Sequence, residues 1–247
     1  MSSERSARPL VIAHRGASGE RPENTMVAYA LAVEQRADMI EIDLHRTRDG
    51  EIAIAHDERL PGLPEGREIG ECSLAEIRAL RTGDRRVPLL DEVLDQFGAR
   101  IPFNLEIKCG TLGPYPGIEA RALLTLKERG LGPSILFSSF DDTVLRRLRD
   151  ADASARIGVL VSPNEPAHWL ERCAVVGAEA VHFWKGLASE SAVAAAHREG
   201  LFVYVYTVDE LSEMRSLLGR GCDGLFTNHP ARMRNLVDRE FPQGISI

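Results

Sequence analysis

The sequence predicts a TIM (β/α)₈ barrel with a short insertion after its second strand. Eight short runs rich in Val, Ile, Leu and Phe alternate with stretches of helical period. No long polar linker divides the chain, and 247 residues suit one large α/β unit, here a single domain over residues 1–247.

The first strand is "PLVIAH" (9–14), and Asn24–Thr25 offers an N-cap to the helical stretch "NTMVAYALAVEQR" (24–36). The second strand is "MIEIDLH" (39–45). The regular alternation then breaks. "DGEIAIAHD" (49–57) adds an Asp-Gly turn and an extra strand, and a Pro/Gly/charge-rich insertion fills roughly 58–87 before "PLLDEVLDQFG" (88–98). An excursion at the C-terminal end of a barrel strand is a place where substrate specificity resides. The third strand, "IPFNLEIK" (101–108), leads to a helical stretch at 117–130 that stops at Gly130. "SILFSS" (134–139) is the fourth strand, and Asp141 caps "DDTVLRRLRDA" (141–151). "RIGVLV" (156–161) and "AVHFW" (180–184) follow, then a helical stretch over 189–200 closed by Gly200. "LFVYVYTV" (201–208), a helical stretch over 210–221 closed by Gly221, and "GLFTN" (224–228) complete the eight.

Composition narrows the partners. A net charge of −7 and a pI near 5.6 argue against holding nucleic acid or an anionic membrane by bulk electrostatics, though a local cationic pocket can still take a small anion. Cys72, Cys109, Cys173 and Cys222 are scattered without a C-x-x-C pair, as expected of reduced thiols rather than a zinc site or a disulfide framework. No stretch reaches the ~20 apolar residues that span a bilayer, and the polar N-terminus lacks a signal-peptide pattern, so a cytoplasmic protein with no transmembrane segment is expected. Nothing in the pattern assigns an oligomeric state.

The polar residues at strand ends carry the chemistry. Strand side chains alternate between two faces, so Glu41, Asp43 and His45 share one face, and Glu106 and Lys108 share another. His14 ends the first strand, Arg15 opens its loop, and His56 follows the extra strand. Three carboxylates from neighbouring strands thus converge with a lysine, an arginine and histidines at the barrel mouth. Two arrangements satisfy such buried charges: ion pairs among Glu41, Asp43, Glu106, Arg15 and Lys108, or a hard divalent cation, Mg²⁺ or Ca²⁺, held by carboxylate oxygens. A bound cation beside Arg15 and Lys108 makes an anion site, and two histidines titrate near neutral pH. Together these groups point to phosphoryl transfer or phosphate-ester cleavage. Of the other histidines, His45 is expected to be solvated or to support its neighbours and His182 to pack structurally. His168 and His197 are expected on helix surfaces and His229 in a loop.

Six stretches in order resemble the glycerophosphodiester phosphodiesterase family: "AHRGASGERPENTMVAY" (13–29), "IEIDLHRTRDGEIAIAHD" (40–57), "NLEIK" (104–108), "SSF" (138–140), "VYVYTVD" (203–209) and "GCDGLFTNHP" (221–230). The resemblance implies a TIM barrel related to the phosphatidylinositol-specific phospholipases C. It implies hydrolysis of small-molecule glycerophosphodiesters to sn-glycerol 3-phosphate and an alcohol with a divalent metal, Mg²⁺, Ca²⁺ or Mn²⁺. Carried over by motif, His14 and His56 would be the general acid/base pair, Glu41, Asp43 and Glu106 the metal ligands, and Arg15 and Lys108 the phosphate-binding cations. Three departures stand out: "ERLPGLPEGREIG" after Asp57, Asn228 for the family's acid in "TNHP", and Tyr206 where many members have tryptophan. Three rivals are a related lipid phosphodiesterase, such as a lysophospholipase D or a phospholipase C-like enzyme, a barrel enzyme of enolisation, and a barrel that binds without catalysis. The lipid enzyme would want an exposed apolar rim, of which the charged segment "PEGREIGE" (64–71) shows little sign.

Overall fold

The computed structural model describes residues 8–80 and 86–242. From the N-terminus the elements are β1 (Leu10–His14), α1 (Met26–Glu34), β2 (Met39–Arg46), β3 (Ile52–Ile54), α2 (Leu74–Ala79) and α3 (Leu90–Phe97). Next come β4 (Phe103–Ile107), a small hairpin of β5 (Cys109–Gly110) and β6 (Gly113–Pro114), α4 (Ile118–Arg129), β7 (Ile135–Ser139) and α5 (Asp142–Ala151). The last third holds β8 (Arg156–Val161), α6 (Trp169–Val176), β9 (Ala180–Trp184), α7 (Glu190–Arg198), β10 (Phe202–Tyr206), α8 (Leu211–Gly219), β11 (Gly224–Thr227) and α9 (Pro230–Glu240).

Eight parallel strands pair in the ring β1-β2-β4-β7-β8-β9-β10-β11, and β11 pairs back onto β1 to close it. All eight expected strands are present, each within two residues of its expected start and end. The extra strand β3 runs antiparallel to the end of β2, with Leu44 opposite Ile54, and lies outside the ring.

Alternation along the strands sorts the residues into two packed layers. One set, including Ile42, Leu105, Phe137, Val159, Val181 and Val203, packs outward against helix residues such as Tyr29, Phe97, Leu145 and Met233. The inward set, Ile12, Met39, Leu136, Ala180, Tyr204 and Phe226, fills the barrel. His182 belongs with it: fully buried, its ring lies 5.4 Å from Tyr204 and 5.1 Å from Phe226, and neither ring nitrogen has a polar partner among the described residues. Gly158 makes room, since a Cβ there would sit 2.4 Å from His182 Nε2. The structural packing expected of His182 is what the fold shows.

The caps follow their expectations. Thr25 accepts from the Ala28 amide, Asp141 accepts from Thr143 and Val144, and Gly130, Gly200 and Gly221 all adopt positive φ. His168 is exposed on the approach to α6, and His229 lies at the N-cap of α9. His197 departs from the surface placement expected of it. It is partly buried, with Nε2 3.0 Å from Asp223, because that carboxylate also ties down the Val203 amide and draws the ring inward.

The insertion is more built than its charge suggests. Its own Ile69, Cys72 and Ile77 pack with Ala53, Ala55 and Leu89, forming a satellite core. Glu68, buried, accepts from the amide and hydroxyl of Thr111 at 2.9 Å, tying the insertion to the β5–β6 hairpin. Residues 81–85 of the expected insertion lie outside the described residues. All four cysteines are free thiols, and among the described residues no helix is long and apolar enough to cross a membrane.

Candidate active site

A cavity of about 390 Å³ opens at the C-terminal end of the barrel, lined by His14, Arg15, Glu41, His56, Glu106 and Lys108 among others. Six of the seven residues expected in the site therefore share one pocket, and Asp43 lies buried beside them. A larger groove of about 700 Å³, near Leu123, Phe137 and Arg156, carries none of these groups.

The first wall is made where β1 stops. The backbone turns at Arg15 (φ 56°) and Gly16 (φ 83°), both left-handed. Only glycine fits at 16, because a Cβ would meet the Ala28 backbone at 2.8 Å. The turn aims the Arg15 amide at Glu41 Oε2 (2.9 Å) and its guanidinium at Asp43 Oδ2 (3.3 Å) and Glu23 (2.9 Å). Asn24, also at positive φ, donates to Asp43 Oδ2 at 2.8 Å and accepts from Tyr29.

The carboxylates occupy distinct electrostatic positions. Burial alone would raise the Asp43 carboxyl, but Lys108 at 3.0 Å, Arg15 and the Asn24 hydrogen bond hold it down at about 2. Glu106 pairs with Lys108, yet burial outweighs that pairing, and its carboxyl is raised. Burial and the repulsion of Asp43 and Glu106 push Glu41 well above the carboxylate range. The Lys108 ammonium is raised despite burial, because Glu106 and Asp43 flank it.

Ion pairing is thus present but incomplete. Two cations face three carboxylates, and among the described residues Glu41 Oε1 is buried with no hydrogen-bond partner. One ligand oxygen from each of Glu41, Asp43 and Glu106 lies within 4.8 Å of the others. All are hard oxygen donors, so the cluster suits a divalent cation of the Mg²⁺ or Ca²⁺ type.

The two histidines reach the pocket from different supports. His14 Nδ1 lies 2.8 Å from Asn228 Oδ1, and burial, with Arg15 nearby, lowers its ring to about 4. His56 stands half-exposed on the segment after β3, with Nδ1 2.7 Å from Asp57 Oδ1. Beneath it His45 is buried rather than solvated, with Nδ1 2.9 Å from the Tyr115 hydroxyl and Nε2 3.3 Å from the His56 carbonyl. Opposite the charged groups stand Phe140, Leu160, Trp184, Tyr206 and Phe226. Tyr206 keeps the aromatic wall, its hydroxyl held by the Val161 carbonyl and its ring edge-on to Phe140 at 6.0 Å. Phe140 and Trp184, which line the cavity, are exposed, so the rim is more apolar than the charged insertion suggested.

Sequence reasoning missed Asn24 as more than a cap, Tyr115 beneath His45, and the pairing of Asn228 with His14. The only advance signal was polar spacing: Asn24 stands nine residues after Arg15 in one connection, and Asn228 stands at a strand end.

The model of the Glycerophosphoryl diester phosphodiesterase family matches residues 14–232. A glycerophosphodiester phosphodiesterase of Caldanaerobacter subterraneus subsp. tengcongensis is 33% identical over 241 residues, covering 92% of this chain and 97% of that protein. One of Bacillus subtilis is 31% identical over 250 residues, covering 90% and 84%. A phosphodiesterase of Oleispira antarctica, solved in complex with the product sn-glycerol-3-phosphate, superposes with a TM-score of 0.80 at 30% identity, covering 94% of this chain and 98% of that one.

Proposed function

The chain belongs to the glycerophosphoryl diester phosphodiesterase family, and from that membership we propose that the barrel-top pocket hydrolyses glycerophosphodiesters to sn-glycerol 3-phosphate and an alcohol, using a divalent cation and two histidines. The observation that carries this reading is the convergence of Glu41, Asp43 and Glu106 in one pocket with Arg15, Lys108, His14 and His56. Glu41, Asp43 and Glu106 would hold the cation, which when bound supplies Lewis-acid polarisation of the phosphate.

The protein's own groups do the rest. Arg15 and Lys108 sit where they offset charge on the phosphoryl oxygens, and their carboxylate partners keep both fully charged. His14, with Nδ1 engaged by Asn228, keeps Nε2 for the pocket and stays neutral, so it accepts a proton from the nucleophile, which is either water itself or the glycerol 2-hydroxyl, whose cyclic phosphate water then opens. His56, whose Nδ1 is engaged by Asp57, delivers a proton to the departing alkoxide. The apolar wall of Phe140, Trp184 and Tyr206 takes the remainder of the substrate.

Purified enzyme stripped with a chelator is expected to lose turnover of glycerophosphocholine, -ethanolamine, -glycerol and -inositol, and to regain it with Mg²⁺, Ca²⁺ or Mn²⁺. Full turnover without metal would overturn the ligand assignment. The exposed Phe140 and Trp184 favour a second reading, a related lipid phosphodiesterase, and lysolipids added to the same panel decide it by their kcat/KM relative to the water-soluble diesters.

A further inference from the structure

We propose that Asp209 and Asn228 form a positioning pair that decides which ring nitrogen of His14 carries the proton. The inference rests on His14 being a catalytic base and adds how the chain makes it one.

Asp209 follows β10 and reaches across to the end of β11. Its Oδ1 accepts from the Asn228 backbone amide at 2.8 Å and from the Thr227 hydroxyl at 3.0 Å. Its Oδ2 accepts from Asn228 Nδ2 at 2.7 Å. A carboxylate donates nothing, so the Asn228 amide has one orientation: NH₂ toward Asp209, oxygen toward His14 and the Ser18 hydroxyl, which donates to it at 2.8 Å. His14 Nδ1, 2.8 Å from that oxygen, must carry the hydrogen, and the lone pair of the neutral ring falls on Nε2. Asn228 is neutral and Asp209 lies behind it, so the negative charge stands one side chain away from the imidazole. Asp209 orients His14 through an amide.

The pair predicts an unusual substitution pattern. In D209N the Asn228 backbone amide and the Thr227 hydroxyl keep the oxygen of the new side chain, and its NH₂ then faces Asn228. Two NH₂ groups repel, so the Asn228 amide turns over and presents its own NH₂ to His14 Nδ1. That selects the Nε2–H ring, which has no lone pair for the substrate's proton. In the exchange D209N/N228D the new amide donates to the new carboxylate, whose other oxygen again accepts from Nδ1–H.

The test measures kcat and KM on glycerophosphocholine with Mg²⁺, together with ¹⁵N ring signals of His14 in the metal-free protein. D209N is expected to lower kcat by ~10²-fold with KM held within about threefold. The exchange variant is expected to recover to within about tenfold of the parent. The ring signals should report Nδ1–H in the parent and the exchange variant, and Nε2–H in D209N. Unchanged kcat in D209N, an Nε2–H ring in the parent, or a folded exchange variant as slow as D209N would each overturn the proposal. The ring signals are read without turnover. A parent that fails to hydrolyse any diester therefore sinks the functional reading and leaves the tautomer result to stand or fall separately.

Discussion

His14 and His56 line one pocket but are held in opposite ways. His14 ends a strand inside the closed ring and is half-buried, with a neutral amide as its partner. His56 stands on the segment between β3 and the insertion, more exposed, with a carboxylate partner that is itself largely in solvent. The first flank is fixed by parallel strands that pair on both sides. The second depends on a two-link support, in which Tyr115 holds His45 and His45 holds the His56 carbonyl. The contrast teaches that the barrel holds one imidazole rigidly and partly out of water, while the excursion outside it holds the other where solvent reaches it; on the proposed reading the first would accept the proton and the second would deliver one.

The largest expected effects break the comparison directly. H14A and H56A should each lower kcat on glycerophosphocholine by ~10²–10⁴-fold. They should part on a diester with a p-nitrophenolate leaving group, which needs no proton. There H56A should regain most of its loss and H14A none. Recovery by H14A alone would reverse the two roles.

A third histidine sharpens the contrast, because His182 is buried with no polar partner among the described residues, and its ring is pushed down to about 3. Unfolded, it binds a proton below about 6.5; folded, it does not until far lower pH, so it costs stability as pH falls through 6.5. H182L should narrow the stability gap between pH 7 and pH 5 by ~2 kcal/mol in denaturant melts. An unchanged gap would mean that water reaches the barrel interior.

Smaller effects probe the exposed flank. D57A removes the partner of His56 Nδ1, and because that partner is solvated the loss in kcat should stay near tenfold or below. A fall as large as that of H56A would make the two flanks equally dependent on their partners. Y115F removes the hydroxyl beneath His45, a buried hydrogen bond, and should cost ~1 kcal/mol of stability with kcat little changed. A tenfold loss of kcat would place Tyr115 in the alignment of His56 itself.

Much of this was legible in the chain before folding. Strand and helix periods mark eight alternations, and strand alternation puts Glu41 with Asp43 and Glu106 with Lys108 on shared faces, because these patterns are local properties of the backbone. The motif order named His14, Arg15, His56 and the three carboxylates as one group. Side-chain pairs across distant segments were not legible. Asn228 meets His14 across 214 residues, Tyr115 meets His45 across 70, and nothing in local period ties such partners together. Nor could composition show that the exposed apolar rim comes from Phe140 and Trp184 rather than from the insertion.

By itself, then, the sequence determined the barrel and the kinds of groups at its mouth, since hydrophobic period and residue chemistry act over a few neighbouring positions. Only the tertiary structure decided which carboxyl is held down and which are raised, which carboxylate oxygen has no hydrogen-bond partner among the described residues, and which side chain meets His14 Nδ1. Those outcomes depend on burial and on hydrogen-bond directions that exist only once the ring of strands has closed.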